Sequence, residues 1–472
     1  MNRYLNLHKL LTVNSVLLVR DADGRPKETP FGTARRTMLS PQTQRRADRT
    51  HMRDQANTGR GPLADYAFGC RTREWARLTA AALKSQHKWK EEEAALTART
   101  ALQGLNISFG TKGSTADLTK VMIFAPESAA TQLAAALNEH AEAVRAWMSD
   151  VASARTRQEE SKKNKSKGKK KAAAAEEEQP AAAEEAAQDA EAAESKELPA
   201  LPAELRKKML LALAPADAID IALFGRFLAE VNHSPNVDGA LQNMPAITVG
   251  RAAGTEDFFS AADDAKLARQ RATPPADLST LDFLEAIDPF PADGSSGDHQ
   301  GAGMTGYQHF VSGTFYAHAV LDRYQLRVNL RRAGMEADKA EQAARAAEAA
   351  YMDAFCNAVP EAKKTTTAAP GTLPKLVLAH SSDRQHNYVT CFEDAINENT
   401  TVASIEATRR LLNQHALISR KCALEPGAVL TYDLAITELL DELRAAGRLQ
   451  PREVDRPDQL TDATADVAAV PA

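Results

Sequence analysis

Five arginines crowd the stretch FGTARRTMLSPQTQRRADR. They are Arg35, Arg36, Arg45, Arg46 and Arg49, offset only by Asp48, in a 472-residue chain whose formal charge is -5. Guanidinium forks grip phosphate oxygens bidentately, so such a cluster suits a nucleic-acid backbone. Gln42, Arg45, Arg46 and Arg49 stand at spacings of three, four and seven, which places them on one broad helix face. Ser40 reads as the N-cap of that helix and Pro41 as its first residue, and a helix N-terminus turns free N–H groups toward an anion. The same spacing also fits a solvated basic face with ion pairs, and spacing alone does not choose between the two. The acidity of the whole chain argues against binding by bulk charge and leaves room for a local basic track.

Candidates for catalysis are sparse. His8, His51 and His318 could do acid–base work on RNA, but none has a partner at useful spacing. Asp21 and Asp23 could take a metal, yet RDADGRP has the composition of a turn and no second carboxylate cluster supports it. The expectation is a protein that is not an enzyme, with no cofactor and no metal. Cys70, Cys356, Cys391 and Cys422 are scattered without CxxC or zinc-like spacing, and read as free thiols in a reducing cytoplasm. No apolar run approaches a membrane span. Asn14 and Ser15 interrupt the apolar start, which reads as a core strand and not as a secretion signal. A cytoplasmic protein with no membrane partner follows.

The elements that would position these groups can be read in outline. The length suits two to four packed units, and a hydrophobic fraction of 43% supplies real cores. YLNLHKLLTV reads as a strand, and Ala-rich helical patterns run from about Glu74 to Ala146, broken near NISFGTKGST. Residues 155–197 have a lysine block followed by an acidic Ala-rich block, and read as a disordered or loosely helical insert. DAIDIALFGRF reads as a buried strand entering a Gly turn. YQHFVSGTFYAHAVLD holds one or two strands. A long helix with Tyr351 and Phe355 on its buried side follows, then the strand LPKLVLAHSSD. Helices are expected around 403–417 and 432–446, and everything after Asp455 reads as frayed. Strand, helix, two strands, helix, strand is the order of a ferredoxin-like or RNA-recognition-motif fold.

Several blocks resemble, in order, the CasC-type backbone subunit of type I-E CRISPR Cascade complexes, a branch of the RAMP superfamily. The first comprises His8, Arg20–Asp21, Lys27, Phe31–Gly32, Arg35–Arg36, and Ser40, Gln42, Arg45 and Arg46. DIALFGRF is similar to a DIAL-x-GRM segment. NVDGALQNMPAITVGRAAGTEDFFSAADD is similar to a VDGA…AI…DWFTAVDD segment. GAGMTGYQHFVSGTFYAHAVLD resembles LG-x-x-EF-x-S-x-x-FYRYA, and VPEAKKTTTAAPGTLPKLVLAHSSD resembles a Pro-x-x-Lys…Thr-x-Ala-Ala turn with its strand. Together they span roughly residues 3 to 400. Phe227 stands in place of the usual methionine, and Pro245 and Arg251 lie at or near positions where histidines are usual. The insert and the addition around 266–300 are not typical.

The resemblance implies an α+β fold: an RNA-recognition-motif/ferredoxin-like palm with inserted helical fingers and a β-hairpin thumb. It divides the chain into palm (1–56), helical fingers (57–215, with the insert 155–197), palm (216–252), thumb with an insertion (253–309), palm (310–400), and C-terminal helices and tail (401–472). It implies a subunit that oligomerises along CRISPR RNA, presents bases to target DNA, and joins the large, small, guide-handle-binding and endoribonuclease subunits. Arg20, Lys27, Arg35, Arg36, Ser40, Gln42, Arg45, Arg46, Arg49, Gly225, Arg226, Phe227 and Lys363 would bind RNA. Phe258, Phe259 and Met304 would wedge between stacked bases. A backbone subunit that cleaves target RNA, or a general single-stranded RNA-binding protein, are the alternatives.

Overall fold

The computed structural model describes residues 2–110, 113–169, 198–216, 218–227, 236–262 and 302–465. Its strands are β1 (Tyr4–Val16), β2 (Glu28–Phe31), β3 (Ala34–Leu39), β4 (Gly69–Thr72), β5 (Ile123–Pro126), β6 (Leu241–Asn243), β7 (Ala246–Thr248), β8 (Gly254–Ala262), β9 (Ala302–Asp322), β10 (Leu376–Ser382), β11 (Ala428–Leu430) and β12 (Arg452–Val454). Its helices are α1 (Pro41–Asn57), α2 (Trp75–His87), α3 (Glu91–Gln103), α4 (Ala129–Glu139), α5 (Ala141–Lys169), α6 (Ala203–Ala212), α7 (Ile219–Phe224), α8 (Arg323–Arg332), α9 (Ala337–Asn357), α10 (Lys364–Thr367), α11 (Ala403–Cys422), α12 (Leu434–Ala445) and α13 (Pro457–Thr464).

β1 lies near the middle of a mixed ten-stranded sheet with the order β12-β11-β10-β1-β9-β7-β3-β2, in which β6 and β8 also pair with β9. Both faces of β1 are buried. Leu5 and Leu7 pack with α1, α8, α9 and α13, while Leu10 packs on the other face with α11 and α12. Successive strand side chains point to opposite faces, so a near-continuous apolar run such as LNLHKLLTV demands cover on both sides. Taken alone, β1, α1, β7, β9, α9 and β10 give strand, helix, two strands, helix, strand, with β10-β1-β9-β7 side by side. The fold is α+β, as expected. α9 presents Ala340, Ala343, Ala344, Ala347, Tyr351 and Phe355 to the sheet, and the small alanines let it lie close. A second core, around Trp75, Leu83, Leu102, Leu133, Trp147 and Met209, belongs to the helical lobe α2–α6 with the ribbon β4–β5.

The structure revises several expectations. DIALFG is not a strand: α7 covers Ile219–Phe224 and ends at Gly225, whose φ is +77°. YQHFVSGTFYAHAVLD belongs to one 21-residue strand, β9, that leaves the core and pairs with β8 as an extended hairpin. The chain is not frayed from Asp455 to Ala465, because α13 buries Leu460 against the sheet core, and residues 466–472 lie outside the described residues. The first part of the insert continues α5 as far as Lys169, while residues 170–197 lie outside the described residues, as does the addition at 266–300.

Candidate nucleic-acid interface

Pro41 starts α1, but the Ser40 side chain does not cap it; its hydroxyl lies 2.8 Å from that of Thr43. Down one side of α1 run Arg45, Arg49 and Arg53, one turn apart, each guanidinium above a phenylalanine ring. Arg45 lies over Phe224 at 5.6 Å, Arg49 over Phe124 at 5.2 Å and Arg53 over Phe68 at 5.9 Å. The first two were expected on an open RNA face, and the structure half-buries both against α7 and the β4–β5 ribbon. Asp220, fully buried in α7, accepts the Gly69 N–H at 2.6 Å and faces Arg49 at 3.6 Å. Burial raises its carboxyl to about 6 against the pull of the two arginines. Gln42 and Arg46 are exposed, and Arg46 lines a groove of ≈ 640 Å³ with Thr43, Thr50, His51 and Pro360.

Two residues expected to face RNA are scaffold instead. Arg36 is fully buried, and its guanidinium donates to the carbonyls of Val249 (2.6 Å), Gly250 (3.0 Å) and Phe392 (2.9 Å). Arg226 is buried too and donates to Phe124 O at 3.1 Å. Both tie distant segments together by satisfying carbonyls that burial would otherwise orphan. Beside them, Gly225 makes the turn that ejects Phe227, which is 75% exposed and so is not a core side chain.

Lys27, Arg35 and Arg20 lie by β2, the strand at the end of the sheet order. Arg20 is exposed and bridges Pro26 across the turn, in which the Asp21 carboxylate accepts the N–H groups of Asp23 and Arg25. Arg35 is exposed and paired with Glu28 at 2.8 Å. Lys27 and Arg35 line a second groove, of ≈ 690 Å³, that reaches Gly254, Glu256 and His309 at the root of the hairpin.

The β8–β9 register sorts the hairpin into two faces. Phe259 opposes Gly306 and Ala261 opposes Met304, so Phe259 and Met304 share one face. The Phe259 ring lies across Gly306, where a Cβ would stand 2.7 Å from it, and Met304 is 60% exposed. At the foot of this face Lys363, itself exposed, donates to Gln308 Oε1 at 3.0 Å. Phe258 points to the other face, where it meets Tyr307, a residue the motif reading missed. Alternation along YQH would have flagged it once the hairpin register was known.

The histidines raised for catalysis are divided. His8 and His318 are buried within the sheet, His8 Nδ1 lying 2.9 Å from the Tyr316 hydroxyl and His318 Nδ1 3.0 Å from Leu7 O. His51 meets Asp353 at 2.7 Å, whose other oxygen accepts from Asn357. Among the described residues no group of three or more His, Cys, Asp or Glu is placed to hold a metal. No described helix is long and apolar enough to cross a membrane, and all four cysteines are unbridged.

The fold is similar to that of solved chains titled "CRISPR RNA-guided surveillance complex, pre-nicking" (TM-score 0.65, 24% identity, 98% of each chain covered). It is also similar to one titled "CRISPR RNA-guided surveillance complex" (TM-score 0.58, 21% identity, 98% of each chain). No curated protein matches. The model of one family matches residues 5–287 and 278–432, most of the chain. The chain with this hairpin, arginine-bearing helix and two grooves therefore belongs to the CT1975-like protein family.

Proposed function

We propose that this protein is the guide-RNA-holding backbone subunit of a CRISPR RNA-guided surveillance complex, of type I-E, and that several copies line up along one CRISPR RNA. The observation that carries the reading is the hairpin. It projects apolar side chains into solvent, with cationic residues near the root of both faces: Lys363 on one, Arg25, Lys27 and Arg35 on the other. Exposed apolar side chains cost solubility unless they meet a partner. Unstacked bases offer one: wedging between them costs a few kcal/mol per step, and stacking on aromatics returns about 1–3 kcal/mol per base. The fold likeness to chains of such complexes over 98% of their length supports the same reading. Arg46, Gln42, Arg20 and Lys27 hold phosphates, while Met304, Phe259 and Phe227 contact bases. The remaining bases stay free for target DNA, and the other Cascade subunits close the assembly. The protein acts in the cytoplasm, without catalysis and without a cofactor.

The test is co-expression with a CRISPR array and the partner subunits. Parent protein should co-purify with one RNA of fixed length. Arg46→Glu combined with Lys27→Glu should lose that RNA while remaining folded by circular dichroism. Each phosphate contact removed should flatten the log–log salt dependence by about 0.7. Undiminished recovery of full-length guide RNA with the double variant would sink the reading.

A further inference from the structure

We infer that a pocket where the sheet core meets the helical lobe takes a guanidinium group, the tip of an arginine side chain presented by a partner protein. The inference stands apart from the RNA-binding reading and concerns residues that no motif singled out. The pocket has a volume of ≈ 310 Å³, at the small end for a ligand site, which suits one long side chain. The end of α1 supplies Ala56 and Asn57, the segment before β4 supplies Tyr66 and Phe68, and the corner between β5 and α4 supplies Glu127. Main-chain bonds hold that corner to the segment: the Glu127 N–H donates to Phe68 O at 3.0 Å, and Gly69 pairs with Pro126. The walls are therefore fixed by backbone, and the site is preformed.

Three features of the pocket favour a cation. Glu127 is the one charged residue in its lining, and its side chain is 55% exposed. Tyr66 and Phe68 bring aromatic rings, whose faces attract positive charge. The 17-residue α1 ends at the pocket with no basic residue in its last turn, so about half a negative charge at its C-terminus has no cation of its own. The kind of cation is set by a side chain already at this corner. The Arg53 guanidinium lies 5.9 Å from the Phe68 ring centre and 3.2 Å from Glu127 Oε1. Arg53 also faces Asp220 at 4.0 Å, so its charge is shared between two carboxylates. A carboxylate has about four lone-pair sites, which leaves Glu127 capacity for a second planar fork. A guanidinium can stack on a ring and still bond a carboxylate in its own plane, whereas an ammonium is a strongly hydrated point charge. The small apolar walls, Ala56 and Ala64, cover the methylene stem behind it.

The experiment uses the full chain and three short capped peptides, read by saturation-transfer NMR. Gly-Arg-Gly carries the guanidinium, its citrulline analogue keeps the planar stem without the charge, and Gly-Lys-Gly keeps the charge without the plane. The arginine peptide should bind saturably, and the other two should each bind more weakly. Tyr66→Leu should weaken the arginine peptide about 2- to 30-fold by removing one ring. Glu127→Gln should weaken it also and flatten its dependence on salt. Ala64 is exposed, so Ala64→Leu fills the pocket without touching the core; it should abolish binding at an unchanged melting temperature. That variant and the citrulline peptide decide the matter even if Tyr66→Leu lowers stability. No saturable binding of the arginine peptide by the parent overturns the proposal. Equal binding of the arginine and citrulline peptides overturns it, as does parental binding by Ala64→Leu or Glu127→Gln. A lysine peptide that binds as tightly as the arginine peptide shows that the plane is not read, and the assignment of a guanidinium falls.

Discussion

Arg36 and Arg46 share one basic stretch, and burial gives them opposite roles. Arg36 sits among carbonyls from segments more than two hundred residues away, and Arg46 faces an open groove. Replacing Arg36 with methionine orphans several buried carbonyls at about 1–3 kcal/mol each. We expect a loss of about 3 kcal/mol or more in denaturant unfolding, and Arg36→Lys should recover only part, because an ammonium cannot fork. Arg46→Ala should change stability by no more than about 0.5 kcal/mol and yet weaken RNA binding; equal stability losses at the two sites would contradict the assignment. Before the fold is known the pair cannot be told apart. The cluster of arginines is visible in FGTARRTMLSPQTQRR, but a guanidinium's partners at Val249 and Phe392 leave no trace in local spacing. Arg226 escaped for the same reason. The exposure of Gln42, Arg46 and Phe227 was legible because a polar helix face and a residue after a glycine turn are local properties.

At the scale of elements, long periodic segments could be read and short ones could not. β1, α1, α9 and β10 each carry enough apolar positions to declare their period. α7 has only six residues, all apolar but Asp220, and so short a run fits a strand equally well; its packing against α8 and the Arg49–Asp220 contact decide it. β4 and β5 have four residues each. α13 shows one buried leucine in a polar stretch, so Leu460→Ala tests whether that helix holds the sheet edge. For a fully buried leucine the expected cost is about 2–5 kcal/mol, and a negligible change would mean that the helix merely rests there. The turn after α7 makes a second test. At Gly225 a Cβ would stand 2.6 Å from Gly239 N and 2.7 Å from Val237 O, with φ at +77°. Gly225→Ala should therefore displace the Phe227 turn, weakening RNA binding more than Phe227→Leu does.

For the molecule as a whole, pH is the informative variable. Under α11 a chain of neutral hydrogen bonds runs from Pro426 O through His415, Tyr388 and His380 to His8 and Tyr316. Burial holds His318 and His415 at about 4, and His8 and His380 well below their ordinary 6.5. The unfolded chain takes up these protons first, so stability falls as pH drops from about 6.5 toward 4. Asp48 and Asp220 oppose this, since burial lifts both carboxyls to about 6 and the folded chain protonates them first. Burial also lowers His386 and raises Glu398, so five histidines stand against three carboxyls and the unfolded state stays ahead in bound protons. The melting temperature should therefore be lower at pH 5 than at pH 7, and His415→Gln should make the decline shallower; a profile flat across that range would refute the balance. β9 has a consequence of another kind. One unbroken backbone runs from Tyr316, locked between neighbours at the centre of the sheet, to Met304, far out on the described part of the hairpin, with Gly313 at φ +149° along the way. Deuterium uptake along this single strand should form a steep gradient, slow at 314–322 and fast at 304–310. Nucleic acid gripping the far end should slow the fast half alone, so that occupancy can be read peptide by peptide from one element.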